Sequence, residues 1–247
     1  GGLVYRLKWK TDSPVRGLAV VYCGLGGLQH ASKVLGKELL EERWAVVHVY
    51  TVLNAPKYNT NILLTEEDTA QEIIRLFDRK YCQVITATKS ILKIVEQKLP
   101  AIRTLPLALL GISAGALNTP AVYHELQNDV DAVVLIAGGA NQFEIVQDGT
   151  FTKWKFSKMF TPYTDSTAYL NTPSRDPYFL APKLPENTLL VHAKWDKVVP
   201  AKNGDLLWKR AGKPERWIFS GGHLGLFATF DWHADDIVNW LQQKTNE

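Results

Sequence analysis

The sequence predicts an α/β fold, a mostly parallel central sheet with helices on both faces. Short apolar runs with little polar alternation recur along the chain, as in strands that are buried on both sides. They fall at residues 17–22, 44–50, 105–110, 132–137 and 188–192. Helical periods separate the runs, and this alternation is typical of a parallel sheet, because parallel strands are usually joined by a helix.

Two further strands are expected beside these runs. Residues 3–9 alternate apolar and polar side chains, which predicts an edge strand with one face in solvent. Residues 216–219 give a weaker pattern and are expected to form the final strand.

Four helical periods fill the intervals between the strands. The second opens with Thr65 followed by Asp68, a spacing typical of a helix start. The apolar members of the four periods are, in chain order, Leu28, Ala31, Leu35 and Leu39; Ala70, Ile73, Ile74 and Phe77; Ile91, Ile94, Val95 and Leu99; and Leu226, Phe230, Ile237 and Leu241.

Length and composition indicate one globular domain over residues 1–247. Hydrophobic residues make up 46% of the chain, which favours a packed core over disorder. The net charge of +3 comes without a basic block, so nucleic acid is not an expected partner. No apolar run reaches the roughly 18 residues of a membrane span. The start at Gly1-Gly2 suggests a processed or engineered end, which leaves the compartment open.

Residues 139–184 interrupt the alternation of predicted strands and helices. The segment is rich in aromatic residues and has no clean strand. A structureless loop of this length is uncommon in a compact domain, so we expect a short inserted cap with helices of its own. The alternative is a set of ordinary core helices with aromatic packing.

One motif predicts a nucleophile. Residues 111–115 read Gly111-Ile112-Ser113-Ala114-Gly115, a G-x-S-x-G pattern of which chance gives about 0.04 copies in such a chain. An apolar run precedes it and a helix-compatible stretch follows, which is the context the motif requires. Glycines are needed on both flanks, because side chains there would collide with the strand or the helix. The alternative is a glycine-rich turn of a Rossmann-like protein.

A serine hydroxyl needs a neutral imidazole to take its proton and a third group to orient that imidazole. In hydrolases with the serine on such a turn, the acid and then the histidine follow along the chain. Of six histidines, His223 is the best candidate. It follows Ser113 in the chain, and it lies in the glycine-rich loop 220–225, from which its imidazole can reach the edge of the sheet. His192 falls inside a predicted strand and His233 inside the last helical pattern. The alternative for His223 is a loop histidine without a role.

Asp196 is the predicted acid. It follows the strand 188–192 by a few residues, so its carboxylate can reach a histidine on the next loop. The alternative is a turn aspartate that caps the helix expected near Pro200. Glu144 and Asp148 are rival acids that rank lower, because both lie in the irregular segment.

In chain order, these segments resemble the α/β-hydrolase superfamily over nearly the whole sequence. The carriers are the motif at 111–115, the stretch 189–200 that ends in Trp195-Asp196-Lys197-Val198-Val199-Pro200, and Gly222-His223. The run 176–182 also resembles the segment ahead of the acid in many such hydrolases. The resemblance implies a triad of Ser113, Asp196 and His223.

The same resemblance implies an oxyanion hole formed by the backbone N–H groups of Leu25 and Ala114. Such hydrolases usually carry a His-Gly loop after an early strand. In the matching run, residues 20–27, Cys23 stands where histidine is common, and three glycines keep the loop compact. Losing one donor of an oxyanion hole typically costs about 10²–10³ in rate. The alternative is a glycine-rich turn that only lets a helix dock.

The sequence therefore predicts a serine hydrolase that cleaves a carboxylic ester, or a related acyl bond, of a small molecule. No metal or cofactor is needed for this chemistry. An acyltransferase or a peptidase would use the same three residues. A non-catalytic hydrolase-like binding protein is the alternative from a different class. The oligomeric state is left open.

Overall fold

A computed structural model describes residues 4–24, 29–50, 66–150 and 166–245 of the chain. Within these ranges, seven strands form one sheet in the order β1-β3-β2-β4-β5-β6-β7. Strand β1 runs antiparallel to β3, and all other neighbours are parallel. The strands are β1 (Val4–Lys8), β2 (Gly17–Tyr22), β3 (Trp44–Tyr50), β4 (Leu107–Ile112), β5 (Ala132–Ile136), β6 (Thr188–Ala193) and β7 (Glu215–Phe219). The predicted fold class is confirmed.

Helices cover both faces of this sheet, as expected. They are α1 (Gln29–Glu41), α2 (Glu66–Lys98), α3 (Ala114–Leu126), α4 (Gln142–Asp148), α5 (Thr167–Asn171), α6 (Pro177–Leu180), α7 (Ala201–Arg210), α8 (His223–Ala228) and α9 (Ala234–Thr245). Within the described ranges, no helix combines the length and the apolar character that a bilayer crossing needs.

Two layers of core lie on opposite sides of the sheet, because successive strand residues point to opposite faces. Val20 and Leu109 face α2, α3 and α7. Val21 and Leu110 face α1, α8 and α9. Strands β2 to β6 are buried along their whole length except for Tyr50 at the end of β3, which explains their continuous apolar sequence.

Strand β4 is displaced along the chain from its predicted position at 105–110. A 3₁₀ turn at Pro100–Thr104 precedes it, and the strand begins at Leu107, just after Pro106. It continues through Gly111 and Ile112, which pair in register with Leu135 and Ile136 of β5. The strand therefore delivers Ser113 directly to the carboxyl edge of the sheet.

Two helical predictions were wrong in their boundaries. The periods expected at 65–77 and 91–99 belong to one helix, α2, of 33 residues. The period expected to form one last helix is divided into α8 and α9 by a 3₁₀ turn at Phe230–Trp232. Thr229 is the C-cap residue of α8, and its backbone N–H and its hydroxyl both donate to the Gly225 carbonyl at 3.1 Å.

The described parts of the expected cap, residues 139–150 and 166–184, hold the short helices α4, α5 and α6. Phe143 and Tyr169 are buried against the beginning of α2 with Ile73, so these two aromatic side chains pack inward. That packing agrees with the alternative of ordinary core helices at the ends of the segment. Outside the described residues lie Phe151, Trp154, Phe156, Phe160 and Tyr163, and the cap stays a prediction.

Asp176 joins the two ends of this segment. Its buried carboxylate accepts hydrogen bonds from the backbone N–H groups of Asn141 (3.0 Å), Gln142 (2.7 Å) and Tyr178 (2.7 Å), and from the Tyr169 hydroxyl (2.7 Å). Burial raises the pKa of Asp176, and the hydrogen bonds act in the opposite direction. The carboxylate fixes the start of α4 beside the start of α6.

Candidate active site

Ser113 lies at the sharp turn between β4 and α3, in the middle of the sheet. Its backbone has φ 53° and ψ −116°, a conformation that residues with a side chain rarely adopt. The Ser113 N–H donates to the Ile136 carbonyl at 2.8 Å, which holds the turn against β5. The side chain is thereby lifted above the carboxyl edge of the sheet.

The flanking glycines make this turn possible, as the motif predicts. A Cβ atom at Gly111 would overlap the Thr119 side chain and the backbone of Ala116. A Cβ atom at Gly115 would overlap the Tyr22 carbonyl at the end of β2. The first turn of α3 can therefore approach both strands only without side chains at these two positions.

His223 is the first residue of α8, where the sequence analysis expected a loop. The Ser113 Oγ lies 2.9 Å from its Nε2 atom. The Phe227 ring, one helical turn later, meets the imidazole edge to face at 4.9 Å between centroids. Gly222 precedes the helix and adds no side chain beside the ring, and His223 is 2% exposed.

Asp196 completes a row of three side chains. Its Oδ2 lies 2.6 Å from Nδ1 of His223. Its Oδ1 accepts the backbone N–H groups of Val198 at 2.8 Å and Val199 at 3.0 Å, so the carboxylate is fixed by its own turn. The alternative of a turn aspartate is therefore correct for the turn but wrong for the helix cap, because Pro200 is the N-cap of α7 and no side chain of the described residues caps that helix.

Backbone hydrogen bonds connect the two loops that carry Asp196 and His223. Lys194 N–H donates to the Phe219 carbonyl at 2.9 Å, and Trp195 N–H donates to the Gly221 carbonyl at 2.9 Å. Both loops leave neighbouring parallel strands, β6 and β7, at the same edge. Gly221, with φ 124°, allows the second loop to turn toward the first.

This geometry selects one tautomer of His223. A carboxylate only accepts hydrogen bonds, so Nδ1 of the neutral ring carries the hydrogen that faces Asp196. Nε2 is then left as an acceptor for the Ser113 hydroxyl. The side chains of His223 and Asp196 are 1% and 5% exposed, so little water competes for these hydrogen bonds. The arrangement can draw a proton from the serine.

Of the two expected amide donors, Ala114 lies among the described residues. Ala114 opens α3, where the first backbone N–H groups have no partner within the helix, and none of the side chains that the structure describes caps this end. Leu25 lies outside the described residues. The preceding Tyr22 touches Gly115, so the chain leaves β2 beside the first turn of α3.

The rival acids Glu144 and Asp148 lie elsewhere, on α4. Lys202 binds Glu144 at 3.0 Å and Asp148 at 2.7 Å. Asn203 also donates to Glu144 at 2.9 Å, so these carboxylates join α4 to α7. Within the described ranges, no cluster of three or more His, Cys, Asp or Glu side chains suited to a metal ion is present.

One supporting contact of this site was not predicted from the sequence. Phe227 supports the imidazole, and its position four residues after His223 would have indicated this if a helix had been expected there.

Comparison with other proteins gives relatives of low identity. No protein-family model matches the chain. Over 70 residues, 28% of the chain, it is 33% identical to YdjC, an uncharacterised protein of Bacillus subtilis (strain 168), and the match spans 60% of that protein.

Solved structures are similar over almost the whole chain. The acylaminoacyl peptidase of Pyrococcus horikoshii has a TM-score of 0.67 at 13% identity, with 99% of this chain and 40% of the peptidase covered. Est1E of Butyrivibrio proteoclasticus with bound ferulic acid has a TM-score of 0.64 at 14% identity, covering 99% and 96%. A cold-adapted esterase from an Arctic intertidal metagenomic library has 0.61 at 13%, covering 98% and 88%. Identities this low show a shared fold.

Proposed function

We propose that this chain, which has the α/β-hydrolase fold, is a serine hydrolase with Ser113 as nucleophile, His223 as general base and Asp196 as the residue that orients the base. One observation carries the proposal. The Ser113 Oγ, the imidazole and the carboxylate form a continuous row with separations of 2.9 Å and 2.6 Å. These are hydrogen-bond distances between a nucleophile, a base and an orienting acid.

In the first step, the Ser113 oxygen attacks the carbonyl carbon of an ester. Its proton passes to Nε2 of His223, and the imidazolium that forms is stabilised by the Asp196 carboxylate. The tetrahedral intermediate then expels the alcohol, which takes the proton from His223. An acyl group remains bound to Ser113 through an ester bond.

In the second step, water replaces the alcohol. His223 removes a proton from the water, whose oxygen attacks the acyl carbon, and the acid is released as the proton returns to Ser113. In both steps, the negative oxygen is stabilised by the N–H groups of Ala114 and Leu25, as the resemblance implies. All groups that move protons belong to the chain.

The substrate class we propose is a carboxylic ester of a small molecule. One of the similar structures is described as an esterase and one as an acylaminoacyl peptidase, and this supports acyl transfer to water. Trp195 and Leu224, next to the acid and the histidine, are 59% and 54% exposed and offer an apolar rim to an acyl or alcohol group. Transfer to a second alcohol or cleavage of a peptide would use the same row of side chains.

A series of p-nitrophenyl esters from acetate to decanoate, assayed beside acyl-peptide p-nitroanilides, tests the proposal. We expect ester turnover that is at least about 10⁴-fold lower in Ser113→Ala, because only substrate binding and the oxyanion hole then contribute to the residual rate. The melting temperature of Ser113→Ala should stay close to that of the wild type. Ester turnover that survives this substitution would exclude Ser113 as the nucleophile, and faster anilide cleavage would favour a peptidase.

A further inference from the structure

Two buried histidines outside the proposed triad occupy similar places in the fold. His48 on β3 packs its ring against Gly36 of α1, and His192 on β6 packs its ring against Gly204 of α7. Each is 5% exposed. A packing role that lets a helix approach the sheet accounts for His48, whose Nε2 donates to the Ser32 carbonyl at 2.8 Å. His192 has contacts that this role leaves unexplained.

The tautomer of His192 is set by Arg216 of β7. The Arg216 Nε lies 3.0 Å from Nδ1 of His192, and a guanidinium can only donate, so Nδ1 is an acceptor without a hydrogen. Asp205 holds the other end of Arg216 at 2.6 Å. Burial, and then the Arg216 charge, lowers the pKa of His192 to about 4, so the ring is neutral near pH 7. The single ring hydrogen is therefore on Nε2.

This Nε2–H group is buried and makes no hydrogen bond of good geometry with any of the described residues. The Gly138 carbonyl lies near the ring and acts as an acceptor toward His192, but the geometry of this contact leaves Nε2 unsatisfied. A buried donor without an acceptor is costly. A polar contact across more than about 3.5 Å is commonly completed by a water molecule.

A small cavity lies beside the ring. Its volume is about 10 Å³, and its lining includes His192, Gly138, Arg216 and the proposed acid Asp196. This is close to the minimum space for one water molecule, which needs two to four polar partners. Such a water would receive the Nε2–H hydrogen bond of His192.

Asp196 has one acceptor position left for this water. Its two carboxylate oxygens offer about four lone-pair positions. The N–H groups of Val198 and Val199 occupy two on Oδ1, and His223 occupies one on Oδ2. The water can donate to the remaining position on Oδ2 and to the Gly138 carbonyl.

We propose that His192 is a positioning residue for Asp196, which it reaches through one buried water, and that Arg216 fixes the tautomer this requires. The role rests on the proposed function, since it acts by holding the acid that orients His223. A carboxylate bound from both sides cannot rotate away from the imidazole. Small displacements of such groups lower turnover more than they lower substrate binding.

Three variants separate positioning from packing. His192→Leu fills the space without a donor and should lower kcat for a p-nitrophenyl ester about tenfold or more at a nearly unchanged KM. His192→Gln keeps a donor and an acceptor and should stay within about threefold of wild type. His48→Leu is the matched control, which should lower the melting temperature and leave kcat unchanged.

Two outcomes of this series would overturn the proposal: wild-type kcat in His192→Leu, or equal loss in the Leu and Gln variants. If the wild type shows no turnover that depends on Ser113, the proposed function itself is wrong. If the wild type does show such turnover and His192→Leu keeps it, only the role of His192 is wrong.

Nitrogen-15 NMR of the wild-type protein examines the tautomer without any assay of activity. The His192 ring should show a hydrogen on Nε2 and none on Nδ1 at pH 7, and a crystal structure should show one ordered water within hydrogen-bond distance of Nε2. A hydrogen on Nδ1, or a dry cavity, would contradict the proposal.

Discussion

Ser113 is held in a backbone conformation that costs about 1–3 kcal/mol for a residue with a side chain. The surrounding structure enforces it, because β4 and β5 pair up to Ile112 and α3 begins at the next residue after the serine. The strain lifts the hydroxyl toward His223, 2.9 Å away. This backbone strain therefore lies at the residue that the proposed mechanism uses as its nucleophile.

Replacing Asp196 with asparagine tests the role of the acid at the residue scale. An amide can present its NH₂ group to Nδ1 of His223 and so favour the wrong tautomer of the ring. We expect kcat for a p-nitrophenyl ester to fall by about 10⁴, with the melting temperature changed little, since the volume is conserved.

Asp148→Asn is the control for this substitution, because Asp148 was a rival acid and lies in an exposed ion pair with Lys202. Its kcat should equal that of the wild type. An Asp196→Asn enzyme with full turnover, or a loss in the control of similar size, would remove Asp196 from the mechanism.

At the scale of elements, the position of Ser113 depends on how closely α3 approaches β2. Gly115→Ala places a methyl group on the Tyr22 carbonyl, and backbone atoms cannot move aside as a flexible side chain can. We expect a loss of about 1–3 kcal/mol in the free energy of unfolding, measured by urea denaturation, together with lower turnover.

Gly225→Ala in α8 provides the comparison, because a Cβ atom there meets no neighbouring atom of the described part of the chain within 4 Å. This variant should be as stable as wild type or more stable by up to about 1 kcal/mol, owing to helix propensity. Equal effects at the two glycines would show that the contact with Tyr22 does not position α3.

The strands that position the proposed site could be predicted from sequence because they are buried on both faces. Apolar runs marked β2, β3, β5 and β6 to within a residue. The boundary of β4 could not be found, because Gly111 resembles a turn residue while it still pairs with Leu135 of β5. Only the neighbouring strand decides that point.

Helix boundaries were harder to predict for a related reason. The buried face of α2 between the two predicted periods includes Tyr81 and Thr88, and Thr88 is buried because it binds the Tyr22 hydroxyl at 3.1 Å. Because Thr88 is polar, it interrupts the apolar period by which the buried face of α2 would be recognised in the sequence. The helix is continuous because of contacts from distant parts of the chain, which the local sequence pattern does not show. The contact between His192 and Arg216 is also between residues far apart in sequence, so the local pattern does not show it either.

For the whole molecule, two buried histidines, His48 and His192, make stability depend on pH. His192 stays neutral in the folded protein down to a pKa of about 4, whereas in the unfolded chain it takes up a proton near pH 6.5. The unfolded state therefore binds more protons between these values, and the free energy of unfolding falls as the pH is lowered through this window. Burial lowers the pKa of His48 as well, so it acts in the same direction.

Urea denaturation of the wild type and His192→Gln between pH 7 and pH 4.5 measures the contribution of His192. As the pH is lowered below 6.5, the wild type should lose free energy of unfolding relative to His192→Gln. The relative loss should be up to about 1.4 kcal/mol per pH unit. Curves that run parallel over this range would show that His192 is protonated equally in both states.

The central claim is that Ser113 is an activated nucleophile. Incubation of the folded protein with a fluorophosphonate, followed by mass spectrometry of the intact chain and of its peptides, measures this directly. The account predicts one adduct on Ser113, none in Ser113→Ala, and strongly slowed labelling in Asp196→Asn. A folded wild-type protein that gains no adduct, or gains it on another residue, would contradict the account.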